Sequence, residues 1–172
     1  MKILQISTFS YKAAGNIMLN IHNALREKGV DSYVAWGRGR KAQNEFEYYM
    51  GDSVGVKLHG VYTRVTDKHG FASRKATKKL LDWVDSIHPD IIHLHCIHGY
   101  YINIEMLFNY IKEKEISFVY CAASVEFSRQ IMNILNSVDK NIKLSISNNN
   151  LICCGEGICG ACIVDLNGKK VK

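Results

Sequence analysis

Proline and long hydrophobic runs are scarce in this chain of 172 residues. A single proline beside 13 glycines argues against a long disordered linker, because such linkers are usually rich in both residues. No window approaches the roughly 18 apolar residues that a membrane-spanning helix needs, and the short apolar run at 2–7 is unlike a signal peptide. The sequence therefore predicts a cytoplasmic protein without a transmembrane segment.

Acidic residues are outnumbered, since 16 Asp and Glu stand against 22 Lys and Arg, for a net charge of +6. The excess is concentrated in residues 57–79, where Asp67 is the one acid. The basic residues of this stretch are Lys57, Arg64, Lys68, Arg74, Lys75, Lys78 and Lys79. Such a stretch can meet nucleotide phosphates, a nucleic acid or an anionic lipid surface, although a solvated helix face is its commoner role. Regularly spaced stacking aromatics are lacking, so nucleic acid is not an expected partner, whereas peripheral membrane contact stays open.

The order of apolar runs predicts an α/β fold. Residues 2–7 and 31–36 have the pattern of strands, and the run 16–29 between them has that of a helix, which is the βαβ arrangement of parallel sheets. Further strands, alternating with helices, are predicted at 90–95, 116–120 and 142–146. The predicted fold class is α/β, a doubly wound, mainly parallel Rossmann-like sheet with a C-terminal cysteine-rich loop segment.

Helical periodicity predicts which side chains face the core. The inward stripes are expected to be Ile17, Ile21, Ala24 and Leu25 in the first helix, Leu80, Leu81, Val84 and Ile87 in a helix at 74–88, and Ile104, Leu107, Phe108 and Ile111 in a helix at 103–115. The run KLHGVYTRV at 57–65 is compatible with a helix, and GRGR at 37–40 is interpreted as a turn.

The cysteines are clustered, because four of the six fall in ICCGEGICGAC, residues 152–162. Cys154, Cys159 and Cys162 form C-x4-C-x2-C, the spacing of plant-type [2Fe–2S] ligation, and in a cytoplasmic chain it favours a metal or cluster over disulfides. Cys153 is expected to be packed or free, because adjacent side chains in an extended run point apart. A structural zinc site and simple burial of small side chains are the alternatives.

Two stretches near the C-terminus resemble a known family. FVYCAASVEFSRQIMNIL and LSISNNNLICCGEGICGACIVDLNGKKVK resemble the iron–sulfur end of the dihydroorotate dehydrogenase electron-transfer subunit and of sulfide-dehydrogenase-like FAD/NAD oxidoreductases. The resemblance covers about residues 117–172 and implies a [2Fe–2S] cluster on Cys154, Cys159 and Cys162. It also implies FAD or NAD on a partner, a flavoprotein or dehydrogenase subunit. The family's fourth cysteine would follow the run NGKKVK, so the fourth cluster ligand is not identified.

The first 116 residues resemble a different family. MKILQISTFSYKAAGNIMLN, HGFASRKATKKLL and IIHLHCIHGYYINI are similar to the N-terminal lobe of family 4-like glycosyltransferases of colanic acid or capsular polysaccharide synthesis. The resemblance implies that Gly15 and His95 lie at a cleft that binds a nucleotide sugar and its acceptor. It does not extend to the second lobe of that family, so sugar transfer by this chain alone is not expected.

The two resemblances divide the chain into residues 1–119 and 120–172. Electron transfer through the cluster is the preferred hypothesis, because the cysteine spacing is the sharpest signal in the sequence. The alternatives are a nucleotide-sugar-binding lobe for polysaccharide synthesis and an inactive fusion or truncation, and enzymatic activity is left open. His93, His95 and His98 carry a weaker hypothesis of zinc binding, although such histidines more commonly belong to a core or cleft.

Overall fold

The computed structural model describes most of the first 121 residues and short segments beyond them. The described residues are 1–66, 71–97, 100–114, 118–121, 129, 132–133, 143–146, 164–166 and 169–171. The cysteine-rich segment 152–162 and His98 lie outside these residues.

A parallel sheet of six strands organises the described part of the chain. Its strands are β1 (Lys2–Phe9), β2 (Asp31–Arg38), β3 (Glu47–Tyr49), β4 (Ile91–Cys96), β5 (Phe118–Cys121) and β6 (Lys143–Ile146). They lie in the order β3-β2-β1-β4-β5-β6, and each neighbouring pair is parallel. The order reverses between β1 and β4, which is consistent with a Rossmann-like fold. A separate antiparallel pair joins β7 (Val164–Leu166) to β8 (Lys169–Val171).

Helices cover both faces of this sheet. The helices within the described residues are α1 (Lys12–Glu27), α2 (Ser53–Thr66), α3 (Arg74–Ile87) and α4 (Ile104–Glu113). On one face α1 packs through Met18 against Val34 and Trp36 of β2. On the other face α3 and α4 form the larger core with β1, β4 and β5. The parallel α/β architecture predicted from the sequence is therefore confirmed.

The larger core joins aliphatic side chains of the sheet to the inward stripes of α3 and α4. Its sheet residues include Leu4, Ile6, Ala35, Ile92, Leu94 and Val119, and all are inaccessible to solvent. The inward residues predicted for α3 and α4 are confirmed, and Leu81 packs partly buried at the margin. Each fully buried Leu, Ile or Phe contributes about 1.5–3 kcal/mol to the free energy of folding. The inward residues of α3 and α4 therefore account for much of the stability with which these helices pack on the sheet.

The inward face predicted for α1 is wrong. Ile17 is 54% exposed, and the buried residues of this helix are Gly15, Met18 and His22. The physical reason lies in the sheet beneath the helix, where Gln5, Ser7 and Ser32 are buried beside Val34 and Trp36. A histidine can hydrogen-bond such a surface and an isoleucine cannot, so apolar periodicity alone selects the wrong stripe.

The region from 37 to 66 is more regular than its sequence predicts. Because β2 continues through Arg38, only the second half of GRGR forms a turn. The run at 57–65 is helical, as part of α2. Within the described segments, no helix combines the length and the hydropathy that crossing a membrane would require.

Candidate functional site

The carboxyl ends of β1 and β2 lie side by side, and the loops that follow them are hydrogen-bonded together. The Ser10 backbone N–H donates to the Arg38 carbonyl at 3.0 Å, and the Arg40 N–H donates to Ser10 Oγ at 3.2 Å. Gly39 makes this approach possible, since its φ is 134° and a Cβ there would overlap the Ser10 hydroxyl. The loops therefore form one unit at the edge where open parallel sheets bind ligands.

Helix α1 begins directly after β1, with Tyr11 as its N-cap. The Tyr11 side chain makes no capping hydrogen bond, and the first turn carries no acidic residue. Gly15 lies against the end of β1, where an added Cβ would overlap the Phe9 carbonyl oxygen and approach the Ser10 carbonyl carbon to 2.9 Å. Gly15 is therefore needed for the contact between helix and strand, which leaves the positive end of α1 at the sheet edge.

Two cations flank the start of α1. The Lys12 ammonium lies 4.2 Å from the centroid of the Phe9 ring, and the Arg38 guanidinium lies 5.7 Å from the same centroid. The Tyr11 ring contacts Phe9 edge-on at 5.1 Å, which extends the aromatic surface. Cations on an aromatic platform beside a helix N-terminus favour an anionic group, so the electrostatics at this edge suit a phosphate.

A cleft of about 390 Å³ opens at the carboxyl ends of β2 and β3. Its described lining comes from the end of β2, from β3 and from the start of α2: Gly37, Arg38, Gly39, Tyr49, Asp52, Ser53, Val56 and Lys57. The Asp52 carboxylate accepts the Gly55 N–H at 2.7 Å, while Arg38 and Lys57 supply positive charge. The volume is in the range of small-molecule sites, and a few polar groups on a mainly apolar wall are typical of them.

The connection after β2 is fixed by an ion pair between Arg40 and Glu47. The guanidinium donates two hydrogen bonds, each of 2.6 Å, to the two carboxylate oxygens of Glu47, and the Gln43 N–H adds a third at 2.8 Å. The hydrogen bonds from Arg40 lower the pKa of Glu47 below its usual value. The Arg40 carbonyl also accepts the Trp36 indole N–H at 2.8 Å, so this pair anchors one side of the cleft to the core.

His95 belongs to a buried polar chain beneath α1. Its Nε2–H donates to Gln5 Oε1 at 2.9 Å, Gln5 Nε2 donates to Ser32 Oγ at 3.4 Å, and Ser32 Oγ lies 3.0 Å from His22 Nδ1. The chain links β4, β1, β2 and α1 without solvent, because all four residues are buried. His95 therefore has a structural role close to the carboxyl edge, and neither His95 nor Gly15 is among the described residues lining the cleft.

The paired histidines of β4 are held neutral. The rings of His93 and His95 stack with centroids 3.9 Å apart. Burial lowers the pKa of His93 to about 4, and burial together with the neighbouring His93 lowers the pKa of His95 to about 3. Burial also lowers the pKa of His22. All three imidazoles are thus neutral hydrogen-bonding groups at neutral pH.

The described residues do not bring together three metal-ligating side chains. His93 and His95 are adjacent, but His98 lies outside the described part of the chain, as do Cys154, Cys159 and Cys162. The zinc and [2Fe–2S] hypotheses therefore stay predictions from the sequence.

Asn103 is a structural junction that the sequence does not single out. Its Oδ1 caps α4 by accepting the Met106 N–H at 2.9 Å, its Nδ2 donates to the Phe71 carbonyl at 2.6 Å, and its N–H donates to Thr77 Oγ1 at 2.7 Å. Ser73 Oγ adds a bond to the Tyr100 carbonyl at 3.2 Å. The described residues 71–77 and 100–103 of the runs HGFASRKATKKLL and IIHLHCIHGYYINI are thus joined by hydrogen bonds. The one sequence signal for this role is an Asn directly before an apolar helix, which is typical of an N-cap.

Comparison of the chain with protein-family models, with curated proteins and with solved structures gave no match.

Proposed function

We propose that the described sheet is a binding lobe of the glycosyltransferase type, which holds a nucleotide sugar by its phosphates at the carboxyl edge. The observation that carries this proposal is the cleft at the ends of β2 and β3, with Arg38 and Lys57 on its wall. Diphosphates carry negative charge in a compact group, and charged donors on an apolar wall are the usual means of binding them.

Each part of the edge has a distinct role in this proposal. Lys12 and the open start of α1 attract the phosphates, since the first-turn N–H groups are uncapped by a side chain. Gly15 is a positioning residue that brings α1 against β1. His95 positions the end of β4 through Gln5, without touching the ligand. We include a Rossmann-like lobe in the same proposal, because ligands of such sheets bind at this edge.

The test is calorimetric titration of the full chain with uridine diphosphate glucose and with uridine diphosphate alone. Saturable binding is expected, and Arg38→Gln should weaken it about tenfold, since a hydrogen bond to a charged group contributes about 1.5–3 kcal/mol. Lys12→Gln should weaken it by a smaller factor. Lys28→Gln is the matched control, because Lys28 is exposed at the opposite end of α1.

Two results would contradict the proposal. One is the lack of saturable heat with either nucleotide in the millimolar range. The other is an equal effect of Lys12→Gln and Lys28→Gln, which would mean that general charge, and not the carboxyl edge, attracts the ligand.

We propose electron transfer through an iron–sulfur cluster as the second candidate function, on the spacing of Cys154, Cys159 and Cys162. The thiolates would hold a [2Fe–2S] cluster that passes single electrons between a flavoprotein and an acceptor. Anaerobic reconstitution with iron and sulfide should give a red-brown protein. Cys159→Ser should abolish the colour, and Cys153→Ser should keep it. A colourless chain that binds one zinc ion would exclude this function, and unchanged nucleotide binding by Cys159→Ser would make the two sites independent.

A further inference from the structure

Helix α2 exposes most of its apolar side chains to solvent and buries two polar ones, while Val56 packs partly buried against the larger core. Val54, Leu58, Val61 and Val65 are between 57% and 79% exposed, whereas His59 and Thr63 on the opposite side are buried. The exposed residues follow one another at intervals of four, three and four, so they form one stripe about 16 Å long. We name these four residues the α2 stripe. A water-facing helix normally has the reverse arrangement, and a contiguous apolar surface of this kind marks an interaction site.

Basic side chains border the α2 stripe on both sides. Lys57 and Arg64 lie on α2 along one flank of the stripe, and both are exposed. Across the other flank is a cleft of about 440 Å³ between α2 and the start of α3, where Arg74 and Lys75 stand opposite Leu58 and Tyr62. Exposed Lys78 and Lys79 continue the positive charge along α3. Asp52 is the one acidic residue in the described lining of this cleft, and its carboxylate accepts the Gly55 N–H at 2.7 Å. The described residues 53–66 and 71–81 contain no Asp or Glu.

The apolar stripe and its basic flanks together indicate the kind of partner. An apolar stripe alone would suit another protein equally well. A stripe bordered by cations on both sides complements a surface with an apolar interior and a negatively charged outer layer. The interface of an anionic bilayer is such a surface, and helices that bind it carry an apolar face flanked by Lys and Arg. Tyr62, which is 39% exposed beside the stripe, is a side-chain type enriched at that depth.

We infer that the α2 stripe and its basic flanks are a peripheral docking surface for an anionic phospholipid membrane. The four apolar side chains enter the boundary between headgroups and acyl chains, and α2 lies parallel to the membrane plane. Lys57, Arg64, Arg74 and Lys75 contact lipid phosphates. Membrane binding in this form requires neither a nucleotide sugar nor a cluster, so it is tested independently of the proposed function.

The experiment is flotation of the full chain with vesicles of phosphatidylcholine, alone or with about one third phosphatidylglycerol. The chain should float only with the anionic vesicles and should be released by high salt, because salt screens exposed charges. Val65→Gln and Val61→Gln should each reduce the partition coefficient about tenfold, since each removes a buried apolar side chain from the bound state. Arg64→Gln and Lys75→Gln, which lie outside the proposed nucleotide cleft, should each reduce it about fivefold, which corresponds to about 1 kcal/mol per charge.

Matched controls come from α1. Ile17 is 54% exposed, similar to Val61, and Lys28 is an exposed cation, so Ile17→Gln and Lys28→Gln should float like the unaltered chain. Circular dichroism confirms that each variant is folded. The inference is overturned if the chain does not float with anionic vesicles, if it floats equally with neutral ones, or if Val65→Gln floats undiminished. It is also overturned if sedimentation shows a dimer that Val65→Gln dissociates, because the stripe would then contact a second copy.

Discussion

The buried histidines His93 and His95 couple folding to pH. Their pKa values of about 4 and about 3 in the folded chain lie below the ordinary value of 6.5. As pH falls below 6.5, the unfolded chain takes up protons that the folded chain cannot accept, so the free energy of unfolding decreases. The contribution is complete above pH 6.5 and is lost as pH falls towards the folded pKa values. The stacked rings titrate as a pair, so the loss belongs to both residues together.

We predict that the urea midpoint of unfolding falls steadily between about pH 6.5 and pH 4.5 and is nearly flat above that range. His93→Gln should reduce this slope, because one of the paired groups no longer titrates. Glu47 contributes mainly below this window, because its stabilisation is present above the ordinary pKa of 4.5 and is lost as pH falls from there towards its lower folded pKa. His88→Asn is the control, because His88 is exposed and adopts a left-handed conformation that Asn tolerates. A midpoint independent of pH would contradict the burial of neutral imidazoles.

Two helical glycines should respond oppositely to alanine. In a helix interior Gly→Ala normally stabilises by about 1 kcal/mol, and Gly60→Ala in α2 should show this gain, because the atom that is nearest to the added Cβ lies 3.8 Å away on Tyr100. Gly15→Ala should instead destabilise by about 1–3 kcal/mol, because its Cβ would overlap backbone atoms of Phe9 and Ser10, which cannot rotate away. Chemical denaturation measures both values. A stabilised Gly15→Ala variant would show that α1 does not require this close contact.

The connection between β2 and β3 depends on the bidentate geometry of Arg40. We predict that Arg40→Lys lowers the free energy of unfolding by about 1–3 kcal/mol, because lysine cannot donate to both oxygens of Glu47. Lys114→Gln is the comparison. Its pair with Asp85 spans 2.7 Å, but both side chains are more than 40% exposed and solvent screens the pair, so a smaller loss is expected. Equal losses in the two variants, measured by thermal and urea unfolding, would contradict the structural role of Arg40.

The sequence predicts the inward face of a helix when the buried side chains are apolar, and it does not when they are polar. The stripes of α3 and α4 follow directly from the spacing of Leu, Ile, Val and Phe. In α1 the inward residues include a glycine and a histidine, and in α2 they are a histidine and a threonine, so apolar spacing could not identify them. The bonds of Asn103 to Phe71 and Thr77 join residues about 30 positions apart, and no local pattern records such contacts.

At the scale of the molecule, the sequence predicts the parallel α/β class but not the strand order. Strand β3 was missed because it has only three residues, and its identity comes from pairing with β2. The glycosyltransferase resemblance implies that Gly15 lies at a ligand-binding cleft, and this stays a prediction. The structure places Gly15 against the end of β1, outside the described lining of the cleft. Arg38 lies in a run whose composition predicts a turn, and Lys57 is one of seven basic residues at 57–79, so the sequence singles out neither for a site. Their shared position at one cleft depends on tertiary packing.

The six-stranded sheet crosses the boundary at which the two resemblances meet. Strand β5 pairs with β4 on one side and with β6 on the other, and Val119 of β5 is fully buried in the larger core. A fragment of residues 1–116 would therefore lose this side chain and expose the hydrogen-bonding edge of β4. We predict that the fragment aggregates or is rapidly digested in limited proteolysis, whereas the full chain resists.

A fragment ending after residue 121 is the comparison, because it restores β5 and Val119 and should recover part of the protection. Size-exclusion chromatography and urea unfolding of both fragments measure the difference. If the 1–116 fragment is a monomer with the same unfolding midpoint as the full chain, the first four strands fold without β5. Such a result would mean that residues 1–116 form a complete folding unit. If the 1–116 fragment is instead unfolded, one core stabilises the whole six-stranded sheet, since a single domain unfolds as a unit.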